Sequence, residues 1–230
     1  GPERHLARCL AAVVPDGAPV LLAVSGGSDS MALLAAARRA APDRIAVVHV
    51  DHGLREGSPG DARFVAAWCA DVGVPCEVVR TASPRDPADR TETAARGVRL
   101  DAIAAVAARR GVAWVATAHH RDDAHETLLL HLARGHRGDR ALASIPTVRP
   151  LDGRAHLVHP FLAGGRPPGR AELAAWRGAH GVPCVEDPTN ADPRIPRNAV
   201  RRALAAGDAN ELGGSLTFPA IFRAPDDDQF

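Results

Sequence analysis

Val20-Leu21-Leu22-Ala23-Val24-Ser25-Gly26-Gly27-Ser28-Asp29-Ser30 is the stretch whose reading decides the fold. Five apolar residues in a row, stopped by Ser-Gly-Gly, read as a compact strand buried on both faces. Ser28–Ala41 then reads as a helix, with Leu33 and Leu34 on its apolar side and Pro42 just past its end. A strand that runs through a glycine turn into a helix aims backbone N–H groups at one point.

The pattern repeats outward from this unit. Ile45–Val50 reads as a second buried strand, Asp61–Val72 as a helix and Cys76–Val79 as a third strand. Thr91–Arg110 reads as a long helix closed by Gly111, Val112–Ala116 as a fourth strand, and Asp122–Leu132 as a further helix. Leu157–Phe161 reads as a fifth strand, while Arg170–His180 and Asn198–Ala206 read as short helices. Strands alternating with helices of this length predict an α/β fold, a Rossmann-like parallel sheet with helices on both faces. Ligands of such sheets sit beyond the carboxyl ends of the strands. Three polar clusters fall there: Ser25–Ser30, His49–His52 and Thr117–Asp123. Residues 18–205 are expected to form the catalytic domain. Residues 1–17 are read as an N-terminal helix preceded by a Gly1-Pro2 cleavage scar, and 206–230 as a partly disordered tail.

Composition narrows the function classes. At 230 residues and 46% hydrophobic, the chain can bury a proper core. No apolar run approaches the roughly 18 residues that span a membrane, and no signal-peptide pattern occurs. Cys9, Cys69, Cys76 and Cys184 are scattered without a C-x-x-C pair, which argues for reduced thiols and a cytoplasmic location. Cys69 and Cys76 are expected in the core. Net charge is only +1, so bulk electrostatics make no case for nucleic acid. All 28 basic residues are Arg, so no lysine can act in catalysis. Trp68, Trp114 and Trp176 are expected to pack rather than stack on bases.

The loop itself reads as a phosphate site. A helix start favours an anion by roughly 0.3–1 kcal/mol, and by up to about 2 when partly buried. Aligned amides and the Ser25, Ser28 and Ser30 hydroxyls would add to that. Asp29 would oppose a bare phosphate, and makes sense as a holder of Mg²⁺, which binds through one or two carboxylates and phosphate oxygens. The motif is not a Walker loop, which requires Gly-Lys, nor the G-x-G-x-x-G of dinucleotide folds. The plain alternative is a polar helix cap with a tight turn.

Ser25-Gly26-Gly27-Ser28-Asp29-Ser30 resembles the signature of PP-loop ATP pyrophosphatases, the adenine nucleotide alpha hydrolase-like class. The fuller pattern resembles the bacterial tRNA(Ile)-lysidine synthases. It includes Val50-Asp51-His52-Gly53-Leu54-Arg55, then Glu92-Thr93-Ala94-Ala95-Arg96-Gly97-Val98-Arg99, then Ala116-Thr117-Ala118-His119-His120-Arg121-Asp122-Asp123 with Glu126-Thr127. Arg134-Gly135, Glu186-Asp187-Pro188-Thr189-Asn190, Arg197-Asn198 and Arg201 follow in order, so that the likeness covers about residues 18–203. The resemblance implies an ATP- and Mg²⁺-dependent carbon–nitrogen ligase. Such enzymes adenylate O2 of the wobble cytidine of an isoleucine tRNA, then let the ε-amine of L-lysine displace AMP to give lysidine. It further implies that Ser25, Gly26, Gly27, Ser28, Asp29, Ser30, His49, Asp51, His52, Thr117 and His119 bind nucleotide. Asp29 would hold Mg²⁺ with the ATP phosphates. His120, Asp123, Glu126, Arg99, Asn198 and Arg201 would bind substrate, and Asp29, Asp123, Glu126, Arg96 and Arg197 would carry catalysis. Asp123 and Glu126 stand at i and i+3, on one helix face, where two carboxylates could grip an ammonium and help remove its proton. The alternative for that pair is a solvated acidic helix start, favoured by the helix dipole.

The chain also departs from the family's pattern. Ala124-His125 stands where a glutamine is usual, Leu100 replaces an aromatic, and His136-Arg137-Gly138-Asp139-Arg140 follows Arg134-Gly135. The family's C-terminal tRNA-binding domains are missing from this stretch. Three other readings therefore stay open: a PP-loop enzyme with a different acceptor, a non-catalytic nucleotide-binding module, and a metal-dependent hydrolase using His49, Asp51 and the His119–His125 segment as ligands. Oligomeric state is open, a dimer being one option.

Overall fold

The computed structural model describes residues 2–53, 57–81, 92–136, 145–163, 166–186 and 196–206. Leu54, Arg55, Thr91, Asp187–Asn190 and the expected tail from Gly207 onward therefore lie outside the described residues. The side chains of Glu92, Thr93 and Arg197 do too. The chain divides into two compact units. One comprises residues 1–121 and 147–186, the other 122–146 and 187–230.

The first unit is built on a sheet with strands β1 (Val20–Ala23), β2 (Ile45–Asp51), β3 (Cys76–Arg80), β4 (Trp114–Ala116), β5 (Val148–Pro150) and β6 (His156–Val158), in the order β3-β2-β1-β4-β6-β5. All neighbours run parallel except β5, which is antiparallel to β6. Helices α1 (Pro2–Val13), α2 (Ser28–Ala40), α3 (Ser58–Asp71), α4 (Glu92–Arg110) and α6 (Arg170–Ala179) belong to this unit, and α5 (Arg121–Ala133) begins in it. Sheet and helices thus form the parallel α/β class expected from the alternating pattern.

Strand alternation sorts the core into two layers, as the period-2 geometry of a strand requires. Val20 and Leu22 of β1 join Met31, Leu33, Leu34, Val65, Cys69 and Leu173 on one face. Leu21 faces the other way, toward Val48, Ile103, Val106 and Val115. Each such side chain, taken fully from water, contributes about 1.5–3 kcal/mol. Trp68 and Trp114 pack against the first layer and Trp176 belongs to it, and Trp114 also stacks on His156 at 5.0 Å between centroids. Cys69 is fully buried in this core, as expected, while Cys76 is partly buried and packs against it. A hydrogen bond with Cys76, and then burial, push the Cys69 thiol up.

Boundaries differ from the sequence expectation where local chemistry overrides the apolar run. Val112 lies in the turn after α4 and not in β4: Gly111 takes φ +64° and the Val112 amide donates back to the Ala107 carbonyl. The strand expected at Leu157–Phe161 stops at Val158, because Pro160, which has no N–H to donate, opens a short 3-10 helix, Pro160–Leu162. β5 was not expected, since Pro150 sits in it; as an edge strand it tolerates proline.

Chain order reverses across β1, with β2 and β3 on one side and β4 on the other. That is the switch point where a doubly wound sheet opens a crevice for ligands. The segments leaving β1 and β4 at this point are Ser25–Ser30 and Thr117–His120.

The second unit contains the body of α5 and helix α7 (Pro196–Ala206). Thr127 Oγ1 donates to the Asp123 carbonyl within α5, and His131 lies against His136 at 5.2 Å between ring centroids.

Candidate active site

The loop after β1 uses its two glycines differently. Gly26 has φ +91° and is packed: a Cβ there would lie 3.2 Å from Val65 Cγ2 and 3.7 Å from Phe64 and Val185. Its carbonyl also accepts from the Val185 amide at 2.9 Å. Gly26 is therefore glycine for the fold's sake. Gly27, the N-cap of α2, has φ −71° and ψ 164°, an extended conformation any residue adopts. A Cβ on it would meet only Ser25 Oγ, at 3.6 Å. Nothing among the described residues requires glycine at 27, and its open side borders the first-turn amides of α2, which have no partner inside the helix.

The serine hydroxyls brace this loop. Ser30 Oγ, on a residue only 7% exposed, donates to the Gly27 carbonyl at 2.9 Å and accepts from the Ser25 amide at 3.2 Å. Ser25 Oγ lies 3.1 Å from Ser30 Oγ and accepts weakly from the Gly27 amide at 3.4 Å. Gly27, as N-cap of α2, makes no side-chain cap hydrogen bond to the first-turn amides. Ser28 Oγ accepts from Arg177 Nε at 3.3 Å, and Arg177 also donates to the Val182 carbonyl.

Asp29 lies in the first turn of α2, where the helix field favours a carboxylate. Its Oδ2 is 3.3 Å from Nε2 of His120 and 3.8 Å from Nε of Arg170. His120, expected to touch substrate, has 0% exposure and lies beside Asp29. His119, its neighbour, is half-buried; Nδ1 pairs with Thr117 Oγ1 at 2.8 Å, and the ring meets buried His159 edge-on at 4.7 Å. Arg170 and Arg177 were not singled out as loop partners from sequence. They stand seven residues apart, two turns of one helix face, and that spacing with the apolar Leu173 between them is the signal that could have found them.

At the end of β2, His49 is buried and its Nδ1 pairs with the Val24 carbonyl at 2.8 Å, tying β2 to the loop strand. Asp51 accepts from the Gly53 amide at 2.9 Å and from Ser58 Oγ, which opens α3. Its carboxylate thus closes the turn after β2, where Gly53 has φ +59°. Burial, then the nearby Arg99 charge, pushes the His52 imidazole below the ordinary histidine value. Arg96 and Arg99 are exposed residues of α4.

The second unit brings together the remaining site residues. Asp123 is 9% exposed and Glu126 1%, so the pair is not a solvated helix start. Arg201 of α7 reaches Glu126 with both arms of its fork, Nε to Oε1 at 3.0 Å and Nη2 to Oε2 at 3.3 Å. This bidentate geometry is the strong form of a charged hydrogen bond. Asn198, three residues before Arg201 on α7, is buried, whereas His125 is exposed. Among the described residues no three His, Cys, Asp or Glu side chains converge as a metal-binding set. No helix among the described residues is long and apolar enough to cross a membrane.

Comparison with known proteins places this geometry in context. The PP-loop domain family matches residues 2–207. A tRNA(Ile)-lysidine synthase from Salinispora arenicola is 40% identical over 238 residues, covering 98% of this chain and 69% of that relative. One from Xanthomonas campestris pv. campestris is 42% identical over 187 residues, covering 80% of this chain but only 41% of that relative. The chain therefore spans only part of the length of the relatives it matches. Among solved structures, the tRNA thiolase NcsA of Methanococcus maripaludis superposes with a TM-score of 0.69 at 14% identity, covering 93% of this chain and 74% of the other. At that identity the likeness speaks for the fold alone.

Proposed function

Because the chain belongs to the PP-loop family and, within it, to the tRNA(Ile)-lysidine synthases, we propose that it joins L-lysine to the wobble cytidine of tRNA(Ile) at the expense of ATP. The first step forms a bond between cytidine O2 and the α-phosphorus of ATP and breaks the bond to pyrophosphate. The second forms a bond between the lysine ε-nitrogen and C2, releases AMP and gives up a proton. The observation that carries the ATP half is the Gly27 N-cap, open where no contact among the described residues calls for glycine, beside the first-turn amides of α2. Those amides suit the departing pyrophosphate.

Asp29 is the carboxylate that would hold Mg²⁺. A single carboxylate completed by phosphate oxygens is an ordinary Mg²⁺ donor set, and the ion would neutralise charge on the triphosphate. His120 Nε2 and Arg170 Nε lie 3.3 and 3.8 Å from Asp29 Oδ2. Asp123 and Glu126 would supply negative charge for the lysine ammonium, with Arg201 fixing the Glu126 carboxylate. Arg96 and Arg99, exposed on α4, suit tRNA phosphates, a contact that weakens steeply with salt. Arg197 and Asn198 on α7 belong to the same proposal. The enzyme would work in the cytoplasm, where its substrates are made.

The test is to incubate the protein with ATP, Mg²⁺, lysine and unmodified isoleucine tRNA carrying a CAU anticodon. Mass spectrometry of the wobble nucleoside, with AMP quantified alongside, should show lysidine and AMP in equal amounts. AMP without lysidine would keep the ATP half and point to a different acceptor. Neither product would overturn the proposal.

A further inference from the structure

The end of α5 holds a pair of side chains that the proposed chemistry does not use. Gly135, at φ +78°, turns the chain out of the helix. The His136 amide then donates to the His131 carbonyl at 3.0 Å, and the Gly135 amide to the Leu132 carbonyl at 2.9 Å. Together these bonds make a Schellman cap, in which the side chain past the glycine meets one from the last turn, and apolar residues commonly fill both places. Here both places hold histidine. The imidazoles of His131 and His136 lie 5.2 Å apart between ring centroids.

Packing alone does not account for that choice. The rings are inclined at 49° to each other, neither stacked nor edge-on, the two arrangements an aromatic contact prefers. Nδ1 of His131 is buried and has no hydrogen-bond partner among the described residues, a state that burial penalises. His136 is exposed, so an ion from solvent can reach the pair. It also opens the segment His136–Arg140, where this chain departs from the family's pattern.

Two imidazoles at this separation suit one metal ion. With Zn–N bonds of about 2.0–2.1 Å and a tetrahedral angle, the ring centroids of two histidines on one ion stand about 5 Å apart. The last turn of a helix favours positive charge, and the ring nitrogens of neutral histidine are the commonest metal donors. We propose that His131 and His136 form a binding site for a divalent transition cation, Zn²⁺ in the first place, with water completing its coordination. Imidazole suits Zn²⁺, Cu²⁺ and Ni²⁺, whereas Mg²⁺ takes oxygen donors and does not compete for the pair. Two protein ligands make the site exchangeable, short of the four that close a structural zinc centre. The bound ion ties the last turn of α5 to the residue beyond its cap. Nothing in this depends on how the phosphate loop is read.

Zinc chloride titrated calorimetrically into chelator-treated protein tests the site in the wild type, His131→Gln and His136→Gln. Losing a partner one shell further from a metal weakens binding about 10–100-fold, so each variant, losing a direct ligand, should lose at least about tenfold. Zn²⁺ should raise the thermal midpoint of the wild type more than that of either variant. Electron paramagnetic resonance of the Cu²⁺-loaded wild type should show nitrogen couplings from two imidazoles, and each variant should lose at least one. His136 is exposed, so His136→Gln carries the test even where His131→Gln disturbs the helix. Unchanged Zn²⁺ affinity in His136→Gln would overturn the proposal by placing the ion elsewhere. A wild type that takes up no Zn²⁺ would overturn it as well, leaving the pair a packing contact, and neither result would bear on ATP binding.

Discussion

Replacing each loop glycine with alanine should separate folding from ligand binding. In Gly26→Ala the new Cβ is forced into φ +91°, a left-handed conformation that costs an L-residue roughly 1–2 kcal/mol. It also comes within 3.2 Å of Val65 Cγ2, a fully buried side chain in the core layer between α2 and α3. Crowding of that kind typically adds about 1–3 kcal/mol. The lost freedom of the unfolded chain returns only about 0.4–1 kcal/mol. The net expectation is a loss of about 2–3 kcal/mol, or roughly 5–10 °C in Tm for a protein of this size. Gly27→Ala meets neither penalty, since φ is −71° and the nearest atom is 3.6 Å away. Alanine is a poorer N-cap than glycine but stiffens the unfolded chain, so the net change should stay within about 1 kcal/mol. The added methyl nonetheless sits where a phosphate would approach the backbone. Thermal and urea denaturation, run beside ATP titration, should find Gly26→Ala destabilised and Gly27→Ala stable but unable to bind ATP normally. A stable Gly27→Ala protein with wild-type ATP affinity would refute the claim that the open side of Gly27 is kept for a ligand.

Asp29→Asn should leave the thermal midpoint near wild type while AMP production falls to background; near-normal AMP release would remove Asp29 from the proposed chemistry. Glu126→Gln should impair lysine transfer more than ATP–pyrophosphate exchange, and equal losses in the two assays would contradict its assignment to the acceptor. Arg201→Ala removes the guanidinium paired with a carboxylate that is 1% exposed. Breaking a buried pair costs about 3–5 kcal/mol, which the partial exposure of Arg201 reduces to about 2–4, a change that urea denaturation would register. The pH dependence has a definite sign. His52 and His5 are both pushed below the ordinary value of 6.5 by burial first, with Arg99 next for His52 and Arg8 next for His5. Folding therefore disfavours their protonation. Their contribution is fully present above pH 6.5 and is lost as pH falls through the lower folded values. His5→Gln should flatten the acid side of the stability curve just below pH 6.5, and an unchanged slope there would refute this account.

The α/β class, the order of the elements and the place of the phosphate loop were legible in the chain itself. Apolar runs such as Val20–Val24, bounded by Ser-Gly-Gly, state their burial locally, and helices declare themselves at i+3 and i+4 spacing. Asp123 and Glu126 could be put on one helix face for the same reason. The sequence could not distinguish the duties of adjacent glycines, because Gly26 is explained by Phe64, Val65 and Val185, residues remote in sequence. Nor could it tell that Asp51 closes the turn into α3, or that Glu126 meets an arginine 75 positions away. The approach of Arg170 and Arg177 to Asp29 and Ser28 likewise depends on α6 packing in one layer with α2. Periodicity and turn chemistry act over a few residues and are written where they act, whereas the partners of a charge are chosen by which surfaces pack, and that only the folded chain decides.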